Sequence, residues 1–325
     1  MRKALIAAVG VIVVFLAGCG KPDVFPLAVG INPWVGYDAL VLARERRLVD
    51  VRRVKIVELS SSSQIQRNLR NGVLDAAALT LDEALRLAHD GAAIRIVAVV
   101  GVSTGGDAVL ARPAITKLSQ LKGKRIGVEL SAGGAVVLAR LLEAAGLSRD
   151  EVSLLPIEAS QQEGALRAGW IDAVVTFEPT KSRLEARGYR VLFDSSRMPD
   201  EIVDVLVVRT GVLERRPEDV VELLAGWERG VLALRSAPAA AAGLLSAGAN
   251  LSPEAYLQSL QGLKFGTLAG SAQLLSGDPA PLAKQHFGLG KLLMQLGLIQ
   301  KPPDWSALLS GEPAAQAVLR LERER

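Results

Sequence analysis

Short apolar runs alternate with helical patterns along most of the chain, and this order restricts the fold more than any single motif. The runs Phe25 to Ile31, Val54 to Leu59 and Ile94 to Val102 are typical of strands. The third is interrupted only by Arg95, as in a strand buried on both faces. Because helical patterns separate these runs, the sequence predicts an α/β fold built on mainly parallel sheets.

A sequence pattern that recurs 97 positions later (63 to 160) predicts two similar units in this α/β chain. Each copy contains a capped helix, a glycine that ends it and a strand that begins near Asp-Ala. The first copy is Ser63-Gln64, Leu69-Arg70, Gly72 and Asp75-Ala76, and the second is Ser160-Gln161, Leu166-Arg167, Gly169 and Asp172-Ala173. The superposition pairs Thr80 with Phe177, so the loops at these two residues should face each other across a cleft. Asp75 and Asp172 lie near strand starts, where a structural role in a turn is expected.

The N-terminal segment has the pattern of an export signal. Arg2-Lys3 precedes an apolar run from Ala4 to Ala17, which is short for a membrane span. The run ends in Leu16-Ala17-Gly18-Cys19, which resembles the bacterial lipoprotein cleavage box. We therefore expect a signal peptide over residues 1–18, lipidation of Cys19, a tether over residues 19–24, and a position in the cell envelope, facing the periplasm or the outside. The alternative is a buried free cysteine behind an ordinary signal segment.

Length and composition exclude several classes of protein. A chain of 325 residues exceeds the size at which single cores stop growing, so two domains are expected. The formal charge of +4 includes Arg2 and Lys3, and the basic cluster between Arg44 and Lys55 has acids nearby, as on a solvated surface. No nucleic-acid partner is expected. His89, His286 and Cys19 form no zinc pattern, and nucleophile-elbow and Walker motifs are absent from the sequence, so we expect no enzyme, no metal and no cofactor.

The loops between strands and helices carry binding chemistry. Helix starts present free N–H groups that suit a carboxylate, sulfonate or phosphate. Acids at strand ends, including Glu129, suit an amine or an aminopyrimidine through charge-assisted hydrogen bonds, although each acid could instead cap a helix or pair with a base. The candidate ligand-binding residues are Trp34, Gly36, Tyr37, Thr80, Ser103, Asp107, Ser131, Gly133, Glu178 and Asp204.

A set of motifs over roughly residues 25 to 230 resembles a known family. They are Trp34-Val35-Gly36-Tyr37, Leu42-Ala43-Arg44-Glu45, Gly72 to Ala77, Ser103-Thr104-Gly105-Gly106-Asp107, Leu121 to Val128, Ala144-Ala145-Gly146-Leu147, Gly169 to Val175, Phe177-Glu178-Pro179 and Asp204 to Arg209. In this order they are similar to the nitrate, sulfonate, taurine and thiamine-precursor group of type 2 periplasmic substrate-binding proteins. These are the solute receptors of ATP-binding-cassette (ABC) importers.

The resemblance implies two α/β lobes with the ligand cleft between them. Lobe 1 would comprise residues 25–109 and 205–325, and lobe 2 residues 110–204. The ligand would close the cleft by hinge motion, and the closed monomer would dock on the permease and ATPase of its importer. Trp34 and Tyr37 from one lobe, with Ser131 and Glu178 from the other, would bridge the ligand, while Asp107 and Asp204 would contact a cation or tie the hinge.

Ligand and activity stay open at the level of the sequence. A small amine-bearing sulfonate such as taurine, or a related alkanesulfonate, is favoured because helix starts and acids both occur. A pyrimidine thiamine precursor stacked on Trp34 is the alternative. A related yeast-type enzyme that makes the thiamine pyrimidine implies a cysteine-rich motif and a reacting histidine, and Cys19 alone cannot supply the former. A lipid-anchored solute sensor would use the same cleft.

Overall fold

The computed structural model describes residues 25–130 and 133–324. The predicted signal peptide, Cys19 with its lipid, the tether up to Asp23 and Val24, and Ser131 all lie outside the described residues. Those expectations stay predictions.

Strands and helices alternate in the first two thirds of the described chain, and helices dominate the rest. The strands are β1 (Leu27–Ile31), β2 (Val54–Glu58), β3 (Ala76–Thr80), β4 (Ile94–Ser103), β5 (Asp107–Ala111), β6 (Arg125–Val128), β7 (Ser153–Pro156), β8 (Ala173–Phe177), β9 (Arg190–Asp194), β10 (Val203–Arg209) and β11 (Leu263–Phe265). The α-helices are α1 (Asp38–Glu45), α2 (Ser62–Arg70), α3 (Leu81–His89), α4 (Gly134–Ala145), α5 (Ala159–Ala168), α6 (Thr180–Glu185), α7 (Thr210–Arg215), α8 (Pro217–Ser236), α9 (Pro238–Ala249), α10 (Pro253–Ser259), α11 (Leu268–Leu274), α12 (Pro281–Gln285), α13 (Phe287–Gln295), α14 (Trp305–Leu308) and α15 (Glu312–Arg323).

Two sheets organise the molecule into two lobes. The first sheet has the order β2-β1-β3-β10-β4-β11 and the second has the order β7-β6-β8-β5-β9. In the first, β1 to β4 share one direction, and β10 lies antiparallel between β3 and β4. In the second, β5 lies antiparallel between β8 and β9 in the same way. The predicted two-lobed α/β fold with mainly parallel strand directions is confirmed.

The structure confirms the repeat that the sequence predicts. Strands β3 and β8 begin at Ala76 and Ala173, and helices α2 and α5 precede them in the same positions. The side chain of Asp75 accepts a hydrogen bond from the backbone N–H of Ala28 at 2.9 Å, and that of Asp172 accepts one from the N–H of Arg125 at 3.0 Å. Both acids therefore fasten one strand start to its neighbour, as expected for a structural role.

The chain crosses between the sheets at slightly different points from those predicted. It leaves the first sheet after Ser103 and enters the second at Asp107, and it returns between Asp194 and Val203. The predicted limits at 109/110 and 204/205 therefore fall inside β5 and β10. The break at Ser103 to Asp107 marks the first crossing, whereas the apolar run through β10 gives no local signal for the second.

The strands of both repeated units begin near Asp-Ala, as the repeat predicts. The apolar residues Val73 and Trp170 lie three residues before β3 and β8 and belong to neither strand. Gly72 and Gly169 adopt left-handed backbone conformations that turn Val73 and Trp170 into solvent. The short strand β11 lies among the C-terminal helices, and it pairs with the edge of β4.

The C-terminal helices cover both faces of the first sheet, with α8 and α10 on one face and α12 to α14 on the other. Trp227 of α8 and Tyr256 of α10 are among the largest fully buried side chains there. Helix α8 approaches α1 so closely that a Cβ at Gly230 would lie 2.0 Å from the carbonyl oxygen of Ala39. In the described part of the chain no single helix is long and apolar enough to cross a membrane. Helices α8 and α9 reach that length and apolarity only when taken together, and the chain bends by 112° between them.

Candidate functional site

A cavity with about 510 Å³ of atom-free space, its mouth included, lies where the two lobes meet. Loops at the carboxyl ends of β1, β3, β6 and β8 form it, which is the usual position of ligands in open α/β sheets. From the first lobe its lining includes Asn32, Trp34, Tyr37, Thr80, Glu83 and Asp204. From the second it includes Asp107, Glu129, Gly133, Gln162, Thr176 and Phe177. Six of the ten residues predicted to bind ligand thus line one cavity, and their contact with a ligand stays a prediction.

Trp34 and Tyr37 are fixed by the carboxylate of Asp204. The indole Nε1–H of Trp34 donates to Oδ2 of Asp204 at 2.9 Å, and the hydroxyl of Tyr37 donates to Oδ1 at 2.8 Å. All three side chains are almost fully buried. Trp34 also meets the ring of Phe177 from the second lobe edge-on, with centroids 5.9 Å apart. The aromatic wall of the cavity is therefore held by strand β10, where the chain re-enters the first lobe.

Glycines on two sides make room for Trp34. A Cβ at Gly36 would lie 2.3 Å from Nε1 of Trp34, and a Cβ at Gly106 would lie 2.3 Å from its Cη2. Such separations are far below a van der Waals contact, so larger residues at either position would displace the indole. Gly36 does not line the cavity, and its role in the structure is to let the indole reach Asp204.

Carboxylates of the chain occupy the helix starts around the cavity. Glu129 accepts hydrogen bonds from the backbone N–H and the hydroxyl of Ser63 in α2, the former at 2.9 Å, and from the N–H of Ala159 in α5 at 3.0 Å. Glu83 accepts from the N–H of Thr80 at 2.9 Å at the start of α3, and from the N–H of Gly133 at 3.3 Å at the start of α4. Both carboxylates therefore connect the two lobes.

Burial sets the acid–base behaviour of the lining. It raises the pKa of Asp204 to about 6 and that of Asp107 to about 7, and repulsion from Asp204 adds to the second shift. The pKa of Glu83 is raised by burial and by the neighbouring Asp82 carboxylate. Among the described residues that line the cavity, none is basic. The interior therefore resists the accumulation of negative charge.

Stability should depend on pH through Asp107, which faces Asp204, Asp82 and Glu178. Since its pKa is higher in the folded state, the stabilisation is complete below about pH 4 and is lost as the pH rises through about 7. At about 1.4 kcal/mol for each pKa unit, and about two units between pH 5 and the folded pKa, the wild type should lose about 3 kcal/mol more than Asp107→Asn between pH 5 and pH 8. Urea unfolding at both pH values measures this difference. Parallel pH profiles would show that Asp107 titrates normally.

Like Gly36, the predicted site residues Ser103 and Glu178 are absent from the cavity lining and have other contacts. The hydroxyl of Ser103 pairs with that of Ser195 at 2.8 Å and accepts from the N–H of Asp107 at 3.0 Å, which ties the two crossing segments together. Glu178 accepts from the N–H and hydroxyl of Ser182 at 3.1 and 3.0 Å, and so caps α6 outside the cavity lining. Ser131 is not described, whereas Gly133 of the same loop lines the cavity.

Sequence reasoning missed Glu83 and Gln162. Glu83 belongs to the capping box of α3, so a local role explained it completely. Gln162 lies inside α5 and is 1% exposed, and it lines the cavity while its Oε1 has no hydrogen-bond partner. The matching position in the first unit is Ile65, so the repeat gives no signal for it. A polar residue where the other copy is apolar is the one clue that the sequence offered.

Proteins of known sequence and proteins of known structure are similar to this chain. A protein of Brucella abortus, provisionally named a binding protein, is 26% identical over 233 residues, which cover 69% of this chain and 72% of that protein. The structure of the alkanesulfonate-binding protein SsuA from Xanthomonas axonopodis pv. citri, bound to MOPS, is 21% identical. It covers 89% of this chain and 98% of its own, with a TM-score of 0.73.

Two further structures show the range of proteins on this fold. The ligand-binding component of an ABC-type import system from Staphylococcus aureus is 14% identical with a TM-score of 0.75, over 90% of this chain and 99% of its own. The desulfurization enzyme DSZB is 20% identical with a TM-score of 0.67, over 91% of this chain and 99% of its own. At these identities the structures establish a shared fold only.

The family assignment comes from the sequence. The model of the family described as NMT1-like matches residues 20–244, about two thirds of the chain, and includes the loops that line the cavity in both lobes. The chain therefore belongs to the NMT1-like family.

Proposed function

We propose that the chain is the extracytoplasmic solute-binding component of an ABC importer, held at a membrane through a lipid on Cys19. The observation that carries the proposal is a cavity at the lobe junction whose lining comes from both lobes, with Trp34 and Tyr37 on one side and Gln162 and Phe177 on the other. A ligand that touches both sides stabilises the closed arrangement, and a permease can recognise that arrangement. The import-system component from Staphylococcus aureus, which has this fold, supports the same function.

The crossing segments provide the hinge for closure. Besides the pair Ser103 and Ser195, the N–H of Gly105 donates to Oγ of Ser195 at 2.7 Å, and the N–H of Gly106 donates to the carbonyl of Gly262 at 2.9 Å. Gly105 has φ of +129°, a conformation that favours glycine. Rotation about these few residues opens the cavity without disturbing either sheet, because the bonds within each sheet do not cross the hinge.

A receptor fits the cavity better than an enzyme does. The described lining contains no cysteine or histidine, and His89 is instead bonded to Gln300 away from the cavity. The lining contributes carboxylates, hydroxyls, an amide and aromatic rings, and these groups can recognise a ligand through hydrogen bonds and ring contacts. The enzyme DSZB has the same fold, so the alternative is a reaction in this cavity, and the experiment below separates the two.

The ligand is proposed to be small and to carry at least one amine. The sequence favours an amine-bearing sulfonate such as taurine over a pyrimidine thiamine precursor, and one fold relative is named for alkanesulfonate binding. Buried acids in the lining support the amine in either compound. Importer partners and a monomeric state belong to the same proposal.

Native mass spectrometry of the protein expressed without residues 1–19 tests the receptor function. We expect one small molecule bound per chain, released unchanged on denaturation and able to rebind the emptied protein. A matched Gln162→Leu protein should retain less of it. A chemically altered compound after incubation with the released ligand would instead identify an enzyme and overturn the proposal.

A further inference from the structure

We infer that the cavity takes a small organic cation with N–H donors, such as a primary amine or an amidine, and excludes sulfonates, phosphates and carboxylates. This inference rests on the proposed receptor function and specifies the ligand class of the same site. The sequence favours a ligand with both an amine and a sulfonate. The inference keeps the amine as a feature of the ligand and excludes the sulfonate.

The first step is that, among the described residues, carboxylates of the chain already occupy N–H groups at the starts of α2, α3, α4 and α5. An anionic head group would be held by the N–H groups at helix starts. Here Glu129 takes those of Ser63 and Ala159, and Glu83 takes those of Thr80 and Gly133. A sulfonate could reach them only by displacing a carboxylate that is itself buried, which would strand its charge without partners.

The second step concerns charge. Glu83, Asp107, Glu129 and Asp204 line the cavity, and among the described residues no basic side chain does. The nearby cations are engaged elsewhere. Arg86 donates to the carbonyl of Leu130 at 3.0 Å, and Lys181 donates to that of Gly105 at 2.9 Å. An added anion would meet repulsion in a poorly screened interior, whereas a cation would relieve it.

The third step is an acceptor without a donor. Oε1 of Gln162 is buried and unpartnered, although the great majority of such atoms are hydrogen-bonded. The assigned amide orientation lets Nε2 donate to the carbonyl of Ile157 at 3.4 Å, whereas the flipped amide would set two oxygens against each other. An acceptor in the lining that lacks a donor points to an N–H group on the ligand.

The groups divide the recognition between them. Both oxygens of Asp204 already accept hydrogen bonds from Trp34 and Tyr37, so Asp204 positions the aromatic wall. Asp107 from the second lobe is then the main negative charge that pairs with the cation. Oε1 of Gln162 accepts a hydrogen bond from an N–H group of the ligand and so sets its orientation. The rings of Trp34 and Phe177 stand beside this position, where a cation gains further attraction from aromatic faces.

A panel of matched probes tests the inference on the protein without residues 1–19, at pH 8, by thermal shift and calorimetry. Each set has a cation, a neutral compound and an anion of similar size: benzamidine, benzamide and benzoate, then propylamine, propanol and propanesulfonate, with taurine added. We expect at least one cation to bind tenfold or more tightly than its neutral counterpart, and propanesulfonate, benzoate and taurine to cause no shift.

Variants assign the effect to the cavity. Asp107→Asn should reduce the preference for the cation over the neutral compound by tenfold or more, and Gln162→Leu should weaken cation binding. Asp90→Asn, on the surface beside Arg70, is the control and should bind as the wild type does.

Several outcomes would overturn the inference. They are sulfonate or taurine binding without cation binding, a panel in which no cation binds, and cation binding that Asp107→Asn leaves unchanged. An anion found by mass spectrometry would also overturn it while the receptor function stood. If the protein instead converted a bound cation into another compound, the inferred charge selectivity would hold and the proposed receptor function would fail.

Discussion

The Trp34→Ala protein is expected to unfold with a free energy about 3–5 kcal/mol below that of the wild type, the usual cost of removing a large buried aromatic side chain. The side chain is 4% exposed, and it fills a space that Gly36 and Gly106 leave open for it. Its loss also removes the ring contact with Phe177 and leaves Oδ2 of Asp204 without its donor. Ligand binding should therefore be lost together with stability, so affinity alone cannot measure the contribution of the indole to the site.

Urea unfolding of three variants separates these effects. Trp170→Ala is the matched control, because Trp170 is 68% exposed and its removal should change stability by less than about 0.5 kcal/mol. Trp34→Phe keeps an aromatic ring but loses the donor to Asp204, so its cost should be intermediate. Equal stability of Trp34→Ala and Trp170→Ala would contradict the packing described here.

Asp204→Leu is expected to cost about 2–6 kcal/mol, because two buried donors lose their acceptor and each unsatisfied group costs about 1–3 kcal/mol. The donors are the indole N–H of Trp34 and the hydroxyl of Tyr37, at 2.9 and 2.8 Å. Since β10 lies in the centre of the first sheet, the loss should also loosen the connection between the hinge and the aromatic wall.

A double-mutant cycle with Tyr37→Phe measures this coupling. Tyr37→Phe alone removes one donor, so Asp204→Leu should cost less in the Tyr37→Phe background than in the wild type. Asp90→Leu on the surface serves as the control for the change of residue type. Strictly additive losses in the cycle would mean that the hydroxyl and the carboxylate do not depend on each other.

Local patterns made most of the fold predictable. Apolar runs located β1, β2 and β4, and the repeat indicated where β3 and β8 begin. The repeat also placed Thr80 opposite Phe177, and both residues line the cavity. The sequence also placed Trp34, Tyr37 and Asp204 in one site. A loop with two aromatic residues between a strand and a helix has few roles besides lining a pocket or packing beneath it, and here the loop does both.

Long-range partners were the part that local patterns could not supply. The capping box of α3 gives Glu83 a local role that the sequence can explain. Its hydrogen bond from the N–H of Gly133 depends on the fold, because Gly133 lies in the other lobe. Ser103 looked like a ligand contact, but its partner Ser195 is 92 residues away. Glu178 is different, because Ser182 lies four residues after it, and this spacing already offered a local partner for its carboxylate.

The position of β10 between β3 and β4 has a consequence for the newly synthesised chain. The second sheet is built from one continuous stretch, β5 to β9, so it can form as soon as that stretch has emerged. The first sheet cannot, because β10 separates β3 from β4 and is synthesised about a hundred residues after β4. Until β10 arrives, the facing edges of β3 and β4 have unpaired backbone groups that can pair with other chains. The lobe whose strands are synthesised first is therefore completed last, and its unpaired strand edges are open to aggregation during that interval.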